Sequence, residues 1–139
     1  MNGFYFAIIT AVVWGIVPIM EKMGLASIMP LSGLLIRSCG VIIGAVVLAV
    51  FNREVVSLAL KADIKTVLFL ALGGLMASIL GQIFFYNALK TGEASKIVPI
   101  AGTYPLVSFL IGIIFLGESF TFVKAAGVMF VIAGLFLLR

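Results

Sequence analysis

Several polar side chains within the apolar stretches of this sequence fall on single helical faces, and these are the residues that could do chemistry. Gln82, Tyr86 and Lys90 follow one another at steps of four, with Asn87 beside them and Ser78 one step earlier. Residues four apart lie on one face of an α-helix. A polar group inside a membrane span is costly, so it indicates a solute path or a contact between helices. For Gln82 and Tyr86 we favour a solute path, because these side chains are larger than a helix contact requires.

Two further apolar stretches carry polar stripes of the same kind. The residues are Trp14, Pro18 and Glu21 in the first stretch, at steps of four and three, and Thr103, Tyr104 and Ser108 in the fourth. We favour the solute path for Tyr104 as well, whereas Thr103 and Ser108 are small enough to serve only as hydrogen-bonding contacts between helices. Three helices that each carry one polar stripe predict a shared polar interior.

Three prolines lie within the first and fourth apolar stretches, namely Pro18, Pro99 and Pro105. Proline removes a backbone donor and clashes with the preceding helical turn, so each position predicts a helix kink. The carbonyls left without a donor need cover from protein or water inside a membrane. Interrupted helices often form the binding region of a transporter, and a kink without a ligand is the alternative interpretation.

The sequence offers little for catalysis or metal binding. It has no histidine and one cysteine, Cys39, and its five acidic residues lie at the ends of the apolar stretches or between them. We therefore predict no enzyme, no metal and no cofactor. Lys22 and Arg37 could hold anionic groups or pair with Glu21, and any proton coupling would have to use Glu21 or Glu118.

The elements that must position these residues are five apolar stretches, which fill nearly all of the chain. They run from about 4 to 20, 31 to 51, 66 to 89, 97 to 117 and 122 to 138. About 20 residues are needed to cross the hydrocarbon layer, and the backbone there must be helical. With 64% hydrophobic and 10% charged residues, the chain predicts one all-α domain over residues 1–139, a polytopic protein of five transmembrane helices in a lipid bilayer. We expect the first stretch to be a retained span rather than a cleaved signal, and the segment 55–60 to lie along the interface.

The basic residues are nearly balanced between the two sides of the predicted membrane. Four lie on the N-terminal side, which are Arg53, Lys61, Lys65 and Lys124, and four on the other, which are Lys22, Lys90, Lys96 and Arg139. Arg37 would add a fifth on the second side. Three interpretations remain open: the long loop fixes the N-terminus inside, the protein inserts in both orientations, or a partner imposes the orientation. The charges form no cluster on a folded face, so we predict no nucleic-acid partner.

Small residues recur along the last stretch. Ala126 and Gly127 are followed seven residues later by Ala133 and Gly134. Small residues let the backbones of apolar helices approach closely. We predict that these four residues form a contact between chains, with packing inside one chain as the alternative.

Motifs in a consistent order indicate a family resemblance over nearly the whole chain. They are Trp14-Gly15 followed by Lys22, Pro30 with Arg37, the turn from Tyr86 to Ser95, Pro99 and Pro105 followed by Phe115-Leu116-Gly117-Glu118, and the segment from Lys124 to Gly134. In this order and spacing the chain resembles the EamA domain of the drug/metabolite transporter superfamily.

The resemblance implies a transporter of small solutes. Most members carry two such domains in tandem, ten helices in all, with the halves inverted in the membrane, and they move metabolites, amino acids, nucleotide-sugar-like compounds or drugs by alternating access. The related small multidrug resistance proteins work as antiparallel dimers and use a membrane-embedded glutamate. This chain has one domain and no acidic residue in the middle of a span.

We therefore expect an antiparallel homodimer of five-helix units in a prokaryotic cytoplasmic membrane, acting on a small-molecule substrate. The side chains expected along the path are Trp14, Glu21, Lys22, Arg37, Gln82, Tyr86, Asn87, Thr103, Tyr104 and Ser108. A half-transporter that needs a different, oppositely oriented partner and a structural membrane protein without transport are the alternatives.

Overall fold

The computed structural model describes residues 2–137, and every regular element within them is helical. The elements are α1 (Gly3–Gly24), α2 (Pro30–Phe51), α3 (Arg53–Leu60), α4 (Ile64–Leu75), a π-helical turn (Met76–Leu80), α5 (Gly81–Thr91), α6 (Ala94–Ala101), α7 (Tyr104–Leu116) and α8 (Phe122–Leu137). The helix α3 occupies the segment expected at the membrane interface.

Four stretches are long and apolar enough to cross a membrane. They are Gly3–Gly24, Pro30–Phe51, Ile64–Thr91 and Ala94–Leu116, and the helix Phe122–Leu137 is a shorter apolar one of 16 residues. This all-helical arrangement confirms the predicted polytopic membrane fold. The predicted end of the last helix at Leu138 lies outside the described residues.

The ends of the helices follow from local chemistry. Pro30 lies in the first turn of α2, where its missing N–H removes no helical bond. The Asp63 carboxylate accepts a hydrogen bond from the Thr66 N–H and so caps α4. Gly117 ends α7 in the left-handed conformation at φ 65°, which costs a residue with a side chain more than glycine.

The first helix extends further than the sequence pattern predicted. The predicted span ended at residue 20, whereas α1 continues to Gly24. Glu21 and Lys22 are good helix formers, so the polar residues that appeared to end the span continue its last turn. Glu21 consequently lies within the helix rather than in the loop that follows.

The chain divides into two compact units, with the boundary in the sequence between Thr91 and Gly92. In the first unit the buried core side chains are Leu25, Leu34, Tyr86 and Leu89. They lie where α1 ends, α2 begins and α5 ends. This end of the first unit is therefore its best-packed part.

The second unit contains α6, α7 and α8. The fourth span is interrupted at Gly102 and Thr103, between Pro99 inside α6 and Pro105 in the first turn of α7. After α7, the Glu118 N–H donates to the Gly112 carbonyl, and the Glu118 carboxylate lies against buried Gly112.

Candidate functional site

The Glu21 carboxylate is the centre of a polar cluster in the first unit. Its Oε1 accepts hydrogen bonds from the Tyr86 hydroxyl at 2.8 Å and from Gln82 Nε2 at 3.1 Å. The same oxygen lies 3.2 Å from Nε of Arg37. Three donors from α2 and α5 thus converge on one oxygen of α1, and the charge pair between Arg37 and Glu21, one of the two roles expected for Arg37, is formed.

Arg37 keeps hydrogen-bonding capacity beyond this pair. Its side chain is 30% exposed, against 11% for Glu21. Its Nη1 is buried and has no hydrogen-bond partner among the described residues. A guanidinium carries five N–H donors, and a buried donor without an acceptor costs about 1–3 kcal/mol. The cluster is therefore satisfied around Glu21 and incomplete around Arg37.

Two lysines hold the ends of α1 and α5 together. Lys22 Nζ donates to the Leu89 carbonyl, and Lys90 Nζ donates to the carbonyls of Leu25 and Ala26. The last carbonyls of a helix lack helical donors and carry partial negative charge, so cations at these ends are favourable. The two helices end on the same side of the unit, which brings Glu21 opposite Gln82 and Tyr86.

A π-helical turn precedes the α5 side chains of the cluster. Within Met76–Leu80 the backbone bonds span five residues, and the Gly81 N–H donates to the Met76 carbonyl. An added Cβ at Gly81 would lie 3.1 Å from that carbonyl oxygen, so glycine permits the close approach. The wider turn changes the rotation between Ser78 and Gln82, and such turns occur often at functional sites.

A cavity of about 460 Å³ adjoins the cluster. Glu21, Arg37 and Tyr86 contribute to its wall, and the rest of the lining is Val17, Met20, Gly24, Leu25, Ile28, Gly33 and Ile36. Small-molecule sites are typically apolar clefts of about 300–1,000 Å³ with a few polar groups. This cavity has that size and that chemistry.

Gly33 sets one wall of the cavity. A Cβ at this position would lie 2.6 Å from Leu25 Cδ2 and 3.4 Å from Tyr86 Cε2. Because Leu25 is only 2% exposed, it has little room to move aside. The close approach of α2 to the core thus depends on the absence of a side chain at Gly33.

The other predicted path residues of the first unit take different positions. Trp14 on α1 is exposed. Asn87 is also exposed, and its Nδ2 donates to the Ile83 carbonyl one turn earlier in its own helix. Of the two predicted stripes in this unit, the structure brings together Glu21, Gln82 and Tyr86. A path role for Trp14 and Asn87 remains a prediction.

The predicted site residues of the second unit lie around the helix interruption. The Thr103 hydroxyl donates to the Ile100 carbonyl at 2.7 Å, and Tyr104 and Ser108 are exposed. A second cavity of about 210 Å³ is lined by Pro99, Thr103, Val131, Gly134 and Leu135. The expectation that Tyr104 and Ser108 share a polar interior with the other spans remains a prediction.

The small residues of α8 leave room for a neighbour. An added Cβ at Gly127 or at Gly134 would meet no atom within 4 Å. The predicted contact between chains through Ala126, Gly127, Ala133 and Gly134 stays a prediction. Among the described residues, no cluster of acidic side chains and cysteine could hold a metal ion.

Sequence reasoning did not identify Gly33 as part of the site or Lys90 as a cap on α1. The signal for Gly33 was its position four residues before Arg37, on the same face of α2. For Lys90 the only signal was its place on the stripe of Gln82 and Tyr86. Neither position reveals its distant partner without the packed structure.

The chain is similar to two bacterial or archaeal proteins, one of which is named as a transporter. It is 30% identical to an uncharacterized transporter from the cobO 3' region of a Sinorhizobium species, over 96% of this chain and 94% of that protein. It is also 33% identical to an uncharacterized protein of Methanocaldococcus jannaschii, over 43% of this chain and 44% of that protein. No solved structure matches it significantly.

The family model agrees with the polytopic membrane fold. The model of the EamA-like transporter family matches residues 1–139, the full length of the sequence. A multi-pass membrane protein that transports small molecules of the drug or metabolite type accounts for the apolar helices and for the lined cavity. The chain belongs to the EamA-like transporter family.

Proposed function

We propose that the protein moves a small solute across a prokaryotic cytoplasmic membrane by alternating access, as an antiparallel homodimer of five-helix units. The observation that carries the proposal is the 460 Å³ cavity whose apolar wall contains the Glu21–Arg37 pair. A solute bound there would contact the groups that connect α1, α2 and α5.

The chemistry of the cluster suits a site that changes conformation. Ligand binding shifts a conformational equilibrium only by its difference in affinity between the two states. A solute group that accepts from Arg37 or donates to Glu21 competes with the bonds between helices. Binding would therefore favour the conformation in which these bonds are rearranged, and release would restore them.

Two observations support a dimer of identical units. The Sinorhizobium relative named as a transporter matches this chain over 94% of its own length, so it too is close to this size. The basic residues are nearly equal in number on the two predicted sides, which permits insertion in both orientations. Two inverted copies would supply the ten helices of the tandem arrangement that the family resemblance implies.

Reporter fusions test the orientation. A reporter active only in the cytoplasm and one active only outside, each fused to the C-terminus, should both give signal in separate cultures. Signal from one side alone would contradict dual insertion. In that case a requirement for a different, oppositely oriented partner would replace the homodimer.

Reconstitution tests transport itself. Purified protein in liposomes is loaded with a panel of neutral, acidic and basic apolar solutes, and efflux is followed. We expect efflux of at least one class, and its loss in Glu21→Ala but not in Glu93→Gln, an acid at the start of α6 that is exposed. If the protein moves no solute when reconstituted with both orientations present, a structural role is supported instead.

A further inference from the structure

We propose that the cavity of the first unit selects an amphipathic monoanion, a solute with one carboxylate on an apolar body, and that Arg37 binds the carboxylate. The inference rests on the proposed transport function and specifies the substrate class. It joins three observations: the Arg37 donor without an acceptor among the described residues, the excess of positive charge at this end of the first unit, and the apolar lining of the cavity.

The guanidinium of Arg37 keeps one donor without an acceptor. Glu21 occupies Nε, at 3.2 Å, and the buried Nη1 has no acceptor within residues 2–137. The two terminal nitrogens of arginine form a planar fork that matches the two oxygens of a carboxylate. Arg37 lines the cavity, and its Nη1 is buried, so an acidic group bound there would supply the missing acceptor once the neighbouring side chains move aside.

The charges around this end of the first unit favour an anion. Lys22, Arg37 and Lys90 provide three positive charges, and Glu21 provides one negative charge. The ends of α1 and α5, to which the lysines donate, each add about half a negative charge. About one positive charge remains in excess, which a monoanion balances and a dianion would overshoot.

The remaining wall selects an apolar body. Val17, Met20, Ile28 and Ile36 line the cavity and offer no polar side-chain atom. Burial of apolar solute surface against such a wall is favourable, whereas a second polar group on the solute would lose its water without a partner. The preferred solute is therefore an acid with a hydrocarbon or aromatic body, and sugars and polar diacids are excluded.

Titration calorimetry on the purified protein in nanodiscs measures solute binding directly, so it tests the preference for a carboxylate without depending on transport. The probes are 4-phenylbutyrate, its neutral amide, the matching amine 4-phenylbutylamine, and phenyl phosphate. We expect the carboxylate to bind at least about tenfold more tightly than the amide, since charge-assisted hydrogen bonds are about twice as strong as neutral ones. The amine and phenyl phosphate should bind more weakly than the carboxylate.

Two arginine variants provide the matched comparison. Arg37→Gln should abolish the preference for the carboxylate over the amide, and Arg37→Lys should retain only part of it, since lysine keeps the charge without the fork. Arg53→Gln, at an exposed arginine of α3, should leave the preference unchanged. The proposal is overturned if the wild-type protein binds the amide or the amine as tightly as the acid, if it binds phenyl phosphate more tightly, or if it binds none of the four.

The outcomes separate this inference from the proposed function. Liposome efflux of an amine or a neutral solute, without binding of the acid, would refute the anion site and leave transport intact. Tight binding of the acid without efflux of any solute would support the site and contradict transport.

Discussion

Replacement of Glu21 by glutamine removes one charge from the centre of the cluster with little change in shape. The carboxylate accepts from Tyr86 at 2.8 Å and Gln82 at 3.1 Å, and it balances Arg37 at 3.2 Å. Breaking a buried ion pair costs about 3–5 kcal/mol. Because the Arg37 side chain is 30% exposed, we expect a smaller loss, about 2–3 kcal/mol in the free energy of unfolding.

The comparison with Tyr86→Phe decides whether charge or hydrogen bonding contributes more to the stability of the cluster. Tyr86→Phe removes one hydrogen bond and leaves the carboxylate its other two partners. Hydrogen bonds between membrane helices average about 0.6 kcal/mol and reach about 1.7 kcal/mol. Tyr86→Phe should therefore cost less than Glu21→Gln. The double variant Glu21→Gln/Arg37→Gln should lose less stability than the sum of the losses in the two single variants, since no unpaired charge remains in it.

The assay is reversible unfolding of the purified protein in mixed micelles, followed by circular dichroism as the fraction of denaturing detergent increases. The matched control is Glu93→Gln. Glu93 lies 3.8 Å from its partner Lys96, and the two side chains are 72% and 58% exposed, respectively. Such exposed pairs contribute about 0–1 kcal/mol. Equal losses of unfolding free energy in Glu21→Gln and Glu93→Gln, or a larger loss in Tyr86→Phe than in Glu21→Gln, would refute the reasoning.

Three further predictions use the same unfolding assay or a thermal midpoint. Gly33→Val should cost about 1–3 kcal/mol, because its Cβ would lie 2.6 Å from Leu25 Cδ2, whereas Gly40→Val, with no atom within 4 Å, should change the stability much less. Gly117→Ala should lose about 1–2 kcal/mol, because φ is 65°, and an unchanged midpoint would contradict this. Hydrogen bonds from Thr66 lower the pKa of Asp63 below 3.8, so the capping contribution, present above that pH, should disappear as the pH falls through the lowered pKa. Asp63→Asn should lack this pH dependence, and identical pH profiles would count against the cap.

The helices could be predicted from the sequence because their determinants are local. The length of each apolar stretch is matched to the hydrocarbon layer, and the polar stripes follow from steps of four along one helix. The stripe of Gln82 and Tyr86 indicated a functional face before any packing was known. The end of α1 was misplaced because Glu21 and Lys22 are polar, although their polarity is satisfied by distant partners.

The partners could not be predicted, because they depend on contacts between helices far apart in sequence. Asn87 belongs to the same region as Tyr86 but donates to its own helix at Ile83, and a local carbonyl always competes for such a side chain. Gly33 appeared to be one small residue among several on α2. Only the packed structure distinguishes it from Gly40, which has open space beside it.

Directional polar contacts, rather than burial, position the helices of the first unit. Its buried core side chains are Leu25, Leu34, Tyr86 and Leu89, and many other large apolar side chains of the unit are exposed. In a bilayer those exposed side chains gain little by leaving lipid for protein, so apolar contact alone fixes no register between helices. The bonds to Glu21 and the three hydrogen bonds from Lys22 and Lys90 must supply that register. Under the proposed function, a solute that took over one of them would weaken the attachment of α1 to α2 or α5, and this would link occupancy of the cavity to helix movement.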